Sequence, residues 1–171
     1  MTSEKVKLFV GTSDNHDRSI EKIYLYSLLK NTRAELEVVW LRPSMFSDWK
    51  REGWGTPFTC FRYAIPELCN FKGRALYTDC DMINFRDILS LWRTDLNGKP
   101  FGMVWDSLQM NNAEWLGTDY ERGWWCDSVM LIDCAKAKEY IHPIKEQAQW
   151  KGTYKWHFME SIGSPKKEKS T

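Results

Sequence analysis

Two carboxylates, Asp79 and Asp81, are separated by a single cysteine at the end of the apolar run Arg74-Ala-Leu-Tyr-Thr. In an extended backbone, residues two apart point to the same face, so both acids face one cleft while Cys80 faces away. Two anions side by side repel, and each is costly to desolvate. A divalent cation between them resolves both problems. Hard oxygen ligands favour magnesium, manganese or calcium over zinc, and two carboxylates leave coordination positions for substrate phosphates and water. Such an ion stabilises negative charge on a departing diphosphate as a Lewis acid. The competing reading is a loop with two solvated acids, and the apolar strand leading into the pair argues against it.

The elements that position this pair alternate between strand and helix patterns. Val6–Val10 is a buried strand that ends at Gly11-Thr12 and runs into the wholly polar loop Ser13-Asp-Asn-His-Asp17. Asp17 or Ser19 can cap the next helix, which carries Ile20, Ile23, Tyr24, Ser27 and Leu28 on one face and ends near Asn31. Leu36–Leu41 is a second strand, completing a strand–helix–strand unit. Thr56-Pro57 reads as a helix start, with Phe58, Phe61 and Ile65 as its core stripe, Arg62 at the edge of that stripe, and Pro66 kinking or ending it.

After Arg74–Thr78, a short helix is expected within 85–96, with Ile88, Leu91 and Trp92 inward. Phe101–Trp105 is a strand ending at Asp106, residues 107–125 show no clear period, and Val129–Ile132 is the last strong strand, preceded by Cys126-Asp127-Ser128. A helical C-terminal region follows, with Trp150, Tyr154, Phe158 and Met159 as contacts, and 164–171 reads as a solvated tail. The pattern predicts a single α/β domain over 1–171, with a mostly parallel central sheet flanked by helices. In such sheets ligands bind at the carboxyl ends of the strands, where Thr12–Asn15, Asp79–Asp81 and Asp106 gather.

Bulk properties narrow the function. The 171 residues carry a net charge of +1 with acids and bases intermixed, unlike a general nucleic-acid binder. No apolar run is long enough to span a bilayer, and residues 1–7 lack the features of a signal peptide, so a cytoplasmic location is expected. Five scattered cysteines without a CxxC pair suggest buried reduced thiols rather than a zinc site. Ten tryptophans fit either a sugar-binding surface or a packed core.

The segments Thr56-Pro-Phe-Thr-Cys-Phe-Arg-Tyr-Ala-Ile-Pro-Glu-Leu, Gly73-Arg-Ala-Leu-Tyr-Thr-Asp-Cys-Asp-Met-Ile, and Asp87-Ile with Leu91-Trp92 resemble glycosyltransferase family 8. The likeness covers about residues 6–135. It implies a GT-A nucleotide-sugar-binding fold and a retaining hexosyltransferase that uses a UDP-sugar donor with Mn2+ or Mg2+ and a glycan or other acceptor. It implies Asp79 and Asp81 as metal ligands, and Gly11, Thr12, Asp14, Asn15, Arg62, Asp79, Cys80 and Asp81 as the donor-binding set. Arg62, Asp106 and Asp127 are then the catalytic set: Arg62 offsets diphosphate charge, and the two acids hydrogen-bond the sugar. A structural ion pair is the alternative for Arg62, and a helix or loop cap the alternative for Asp106 and Asp127.

Two departures from the family stand out. Cys126 occupies the place of its usual asparagine, and its later histidine ligand has only His157, at a different spacing, as counterpart; a packing histidine is the alternative there. The chain therefore reads as a minimal or C-terminally shortened transferase, with a non-catalytic nucleotide-sugar-binding module as the alternative. A nucleotidyltransferase would want a glycine-rich phosphate loop, which is missing.

Overall fold

Alternation of apolar residues decides which side of each strand meets which layer. In β1 (Lys5–Gly11), Val6, Leu8 and Val10 pack on one side of the sheet with Tyr24 and Leu28 of α1 (Arg18–Asn31). Phe9 points the other way, into a cluster with Phe58, Phe61 and Tyr77. The computed structural model describes residues 4–15, 17–106 and 124–149. Trp150, Tyr154, His157, Phe158, Met159, the tail 164–171 and most of the aperiodic stretch after Asp106 lie outside the described residues.

The remaining strands are β2 (Glu35–Leu41), β3 (Arg74–Asp79), β4 (Phe101–Asp106) and β5 (Trp124–Asp133). They form one five-stranded sheet in the order β2-β1-β3-β5-β4. β1 is parallel to β2 and β3, whereas β5 is antiparallel to both β3 and β4. Four strands therefore share a direction and β5 opposes them, which makes the sheet mostly, not wholly, parallel. Among the described residues, four short helices complete the layers: α2 (Ile65–Leu68), α3 (Leu89–Trp92), α4 (Cys134–Ala137) and α5 (Ile144–Gln147). No helix among the described residues is long and apolar enough to cross a membrane.

Asp17 caps α1 by accepting from the Ser19 amide at 2.9 Å. The inward face of α1 is Glu21, Tyr24, Ser27 and Leu28, while Ile23 is 56% exposed. The expected placement of Ile23 is thus corrected, and the charged Glu21 takes part in the buried stripe instead. Trp49 follows the core reading of the tryptophans: it is buried, and its ring meets Phe46 and Phe61 edge-on.

A second correction concerns the arginine segment. It does not form an α-helix from Pro57; Thr59–Ala64 is a 3-10 turn that leads into α2. The Thr56 hydroxyl starts this turn by accepting from the Thr59 amide at 3.1 Å. Pro66 has no N–H to donate to the Arg62 carbonyl, so an α-helical pattern running through Arg62 would lack that bond, and the tighter turn suits the sequence better.

Candidate active site

The carboxyl ends of β1 and β3 lie side by side, with Gly11 opposite Asp79 in the register. Asp79 closes β3 and is half-buried, whereas Asp81, just beyond it, is exposed. The Cys80 thiol is buried in the apolar cluster on the α1 side, as the alternation requires. Its amide donates to the Gly11 carbonyl at 3.1 Å, locking the two strand ends together.

Arg62, from the 3-10 turn, reaches this point and is only 3% exposed. Its guanidinium makes ion pairs with Asp79 at 3.0 Å and with Asp127 at 2.8 Å. It also lies over the Tyr77 ring, 4.6 Å from the centroid. The Tyr77 hydroxyl donates to the same Asp79 oxygen that Arg62 contacts, and Tyr63 donates to Asp127 at 2.8 Å. Burial pulls the Arg62 pKa down, but Tyr77, Asp127 and Asp79 outweigh it and raise the value, so the cation is firmly held. Burial pushes the Asp79 pKa up, against the opposing pull of Arg62, Tyr77 and Ser128, with Asp81 adding to the rise. Burial likewise raises Tyr77 well above the ordinary phenol value, which keeps it a neutral donor.

Asp127 owes its place to an irregularity in β5. Met103 pairs with Met130, yet the next residue, Val104, pairs with Cys126, so Asp127–Val129 have no partners in β4. A bulge of this kind re-aims side chains. Here it accompanies Asp127 buried against Arg62 and Tyr63, and Ser128 hydrogen-bonded to Asp79. Cys126, Asp127 and Ser128 thus lie within a strand rather than ahead of one, a further correction. Asp106 ends β4 as expected.

Gly11 is required by packing. A Cβ there would sit 2.2 Å from the Tyr77 hydroxyl and 2.8 Å from a Phe58 ring carbon. Gly11→Ala is therefore expected to destabilise the protein by about 1–3 kcal/mol, the usual range for overpacking. It should also displace Tyr77 from Asp79. Urea unfolding checks the first effect; a stability equal to wild type would show that Tyr77 moves freely.

The loop after β1 splits in two. Thr12 is wholly buried and its hydroxyl donates to Glu21 at 2.8 Å, so its side chain does not face the cleft. Ser13, Asp14 and Asn15 line a cavity of about 390 Å3 with Pro43, Ser44, Arg51 and Pro57. Asp14 accepts from the Ser44 amide at 2.9 Å and the Ser44 hydroxyl at 2.8 Å, tying this loop to the turn after β2.

Beneath the loop lies a network absent from the expectations. Arg42 donates to both Glu21 oxygens, at 2.9 and 2.8 Å, and Arg18 adds a third cationic donor. Burial would raise the Glu21 pKa, but the hydrogen bonds from Arg42, Thr12 and Arg18 win and lower it to about 2. A carboxylate depressed in the folded state contributes stability above its ordinary pKa and loses it as protons bind. Stability is accordingly expected to fall as pH drops from about 4.5 towards 2. In Glu21→Gln this part of the acid transition should vanish, as acid-titrated circular dichroism would show; an unchanged transition would contradict the assignment. The helical period offered a signal, because Glu21 lies three and seven residues before the buried Tyr24 and Leu28.

Asp79 and Asp81 supply hard oxygen donors of the kind that magnesium or manganese takes. One Asp79 oxygen already accepts from Arg62 and Tyr77, and Asp81 is open to solvent. No group of three or more His, Cys, Asp or Glu residues suited to a metal occurs among the described residues. The pair therefore fits a metal that takes its other ligands from phosphate and water.

Comparison with known proteins bears on the fold and the family. Protein CDI of Arabidopsis thaliana is 26% identical over 156 residues, covering 80% of this chain and 57% of its own length. The chain thus spans less than two thirds of that relative. Among solved structures, the galactosyltransferase LgtC, in complex with donor and acceptor sugar analogs, superposes with a TM-score of 0.57 at 15% identity, covering 95% of this chain and 67% of LgtC. The glycosyltransferase GlyE of Streptococcus pneumoniae TIGR4 gives 0.52 at 19% identity, covering 80% and 36%. These likenesses show the GT-A fold. The model of glycosyl transferase family 8 matches residues 13–149, most of the chain, and the chain belongs to that family.

Proposed function

We propose that this protein transfers a hexose from a UDP-sugar to an acceptor hydroxyl, with a divalent metal, manganese or magnesium, held by Asp79 and Asp81. The observation that carries the reading is the position of the acid pair. It ends β3 beside the end of β1, whose loop opens on a cavity lined by Ser13, Asp14 and Asn15. Family membership supports a nucleotide-sugar donor and retention of configuration at the sugar. The metal, when bound, supplies charge stabilisation to the diphosphate. The loop at Ser13–Asn15 receives the base, and the Glu21–Arg42 pair keeps that loop in place. Arg62 acts through Asp79: its charge favours the ionised carboxylate, and Tyr77 fixes the orientation of that carboxylate. Asp106 contacts the donor sugar.

One observation favours a second reading. Arg62 is buried and paired with two acids, so its guanidinium is not free to meet a donor. A non-catalytic nucleotide-sugar-binding module would tolerate that arrangement. Incubation with labelled UDP-sugars and manganese separates the readings. Release of UDP with transfer or hydrolysis is expected; binding without turnover would select the module. Release of pyrophosphate from a nucleoside triphosphate would overturn both.

A further inference from the structure

The antiparallel register of β3 and β5 brings two distant stretches of chain together behind the site. Arg74 pairs with Asp133, so the residue before β3 meets the residue after β5, and the Cys134 amide donates to the Gly73 carbonyl at 2.9 Å. Upstream, the chain leaves α2 at Cys69 and reverses at once. Asn70, Phe71 and Gly73 all adopt left-handed backbone, at φ 52°, 52° and 67°. The Asn70 amide donates to Glu67 and the Phe71 amide to Pro66, each at 2.7 Å. Left-handed backbone is unfavourable for non-glycine residues, and a run of it marks a turn imposed by its surroundings. This turn carries Cys69 back onto the start of α4. There the Cys69 and Cys134 side chains are hydrogen-bonded to each other. Both are free thiols buried in one cluster with Ile65 and Ala137. The proposed transfer reaction uses neither.

We propose that Cys69 and Cys134 are a redox pair that closes to a disulfide when the protein meets a peroxide. The two thiols are unequal. Cys134 donates its S–H to Cys69, which holds the Cys69 pKa below the usual thiol value, while the same contact and burial raise Cys134. Cys69 is also the less deeply buried of the two. It is therefore the attacking sulfur. Its thiolate takes one peroxide oxygen, the O–O bond breaks, and the hydroxide released collects a proton to leave as water, giving a sulfenic acid. Cys134 then loses its proton and attacks Cys69 Sγ; the S–O bond breaks and a second water departs. Two thiols and one peroxide become a disulfide and two waters, with two electrons passing from sulfur to oxygen. The new bond ties α2, which follows the Arg62 turn, to α4, which follows the Asp127 strand. It restricts the unfolded chain and so stabilises the fold.

The test treats the full chain with hydrogen peroxide, alkylates it in denaturant, and maps peptides without reduction. A cross-linked pair containing Cys69 and Cys134 is expected, with a higher melting temperature, both reversed by dithiothreitol. Full alkylation of both cysteines at a dose that oxidises the partly exposed Cys126 would overturn the proposal, as would linkage of either to another cysteine. Cys134→Ser, whose hydroxyl can still donate to Cys69 but cannot form a disulfide, is expected to stop at the sulfenic acid of Cys69, trapped by dimedone. Absence of that adduct in the folded variant would overturn the order of attack. The wild-type map needs no variant, so a Cys134→Ser protein that fails to fold leaves the central test intact.

Discussion

Asp127→Ala is expected to lower the stability of this protein by about 3–5 kcal/mol, the usual loss when one partner of a buried ion pair is removed. The reason lies in what remains. Arg62 is 3% exposed, and Asp127 contributes both a carboxylate at 2.8 Å and a backbone carbonyl to it. The backbone contact survives the substitution, but the neutralising charge does not. Tyr63 also loses the acceptor of its hydroxyl. Asp79 still offsets part of the Arg62 charge, so the lower end of the range is favoured. Tyr63→Phe should lose far less, about 0.5–1.5 kcal/mol, the net worth of one hydrogen bond. Urea unfolding of both variants measures the contrast. Equal, small losses would mean that Arg62 reaches water when Asp127 is gone.

The second large effect falls on Asp81. Asp81→Asn is expected to cut transfer by about a hundredfold or more, because a metal contributes several kcal/mol of charge stabilisation and each decade of rate is about 1.4 kcal/mol. Stability should stay within about 0.5 kcal/mol of wild type, as for exposed positions away from structural contacts. Asp79→Asn should also abolish transfer, although its meaning is less clean, since Asp79 holds Arg62 and Tyr77 as well. Initial rates with a labelled UDP-sugar, beside melting curves, check both variants. Normal turnover in Asp81→Asn would remove Asp81 from the metal site.

The strands that place the acid pair were legible because their signal is local. Val6–Val10 and Arg74–Thr78 are short apolar runs, and each lies inside the observed strand with its polar end at the cleft. The cap at Asp17 and the end of α1 at Asn31 were likewise written in residue type. The bulge in β5 was not, because it arises from pairing with β4, and no local pattern reports a partner's register. That hid the burial of Asp127 against Arg62. Glu21 was overlooked for a related reason: a charged residue reads as solvated until Arg42, from the end of β2, is brought to it. Thr12 showed the converse. Its place in the loop suggested a ligand contact, and only the fold reveals that its hydroxyl is already committed to Glu21.

The central claim is that Asp79 and Asp81 bind a nucleotide diphosphate through a metal. A calorimetric titration of UDP tests it most directly, first with manganese and then with excess chelator. Without the ion, an exposed Asp81 beside a half-buried Asp79 presents negative charge to a negatively charged ligand. Binding with manganese and its loss on chelation is the predicted result, whereas equal affinity in the two conditions would contradict the account.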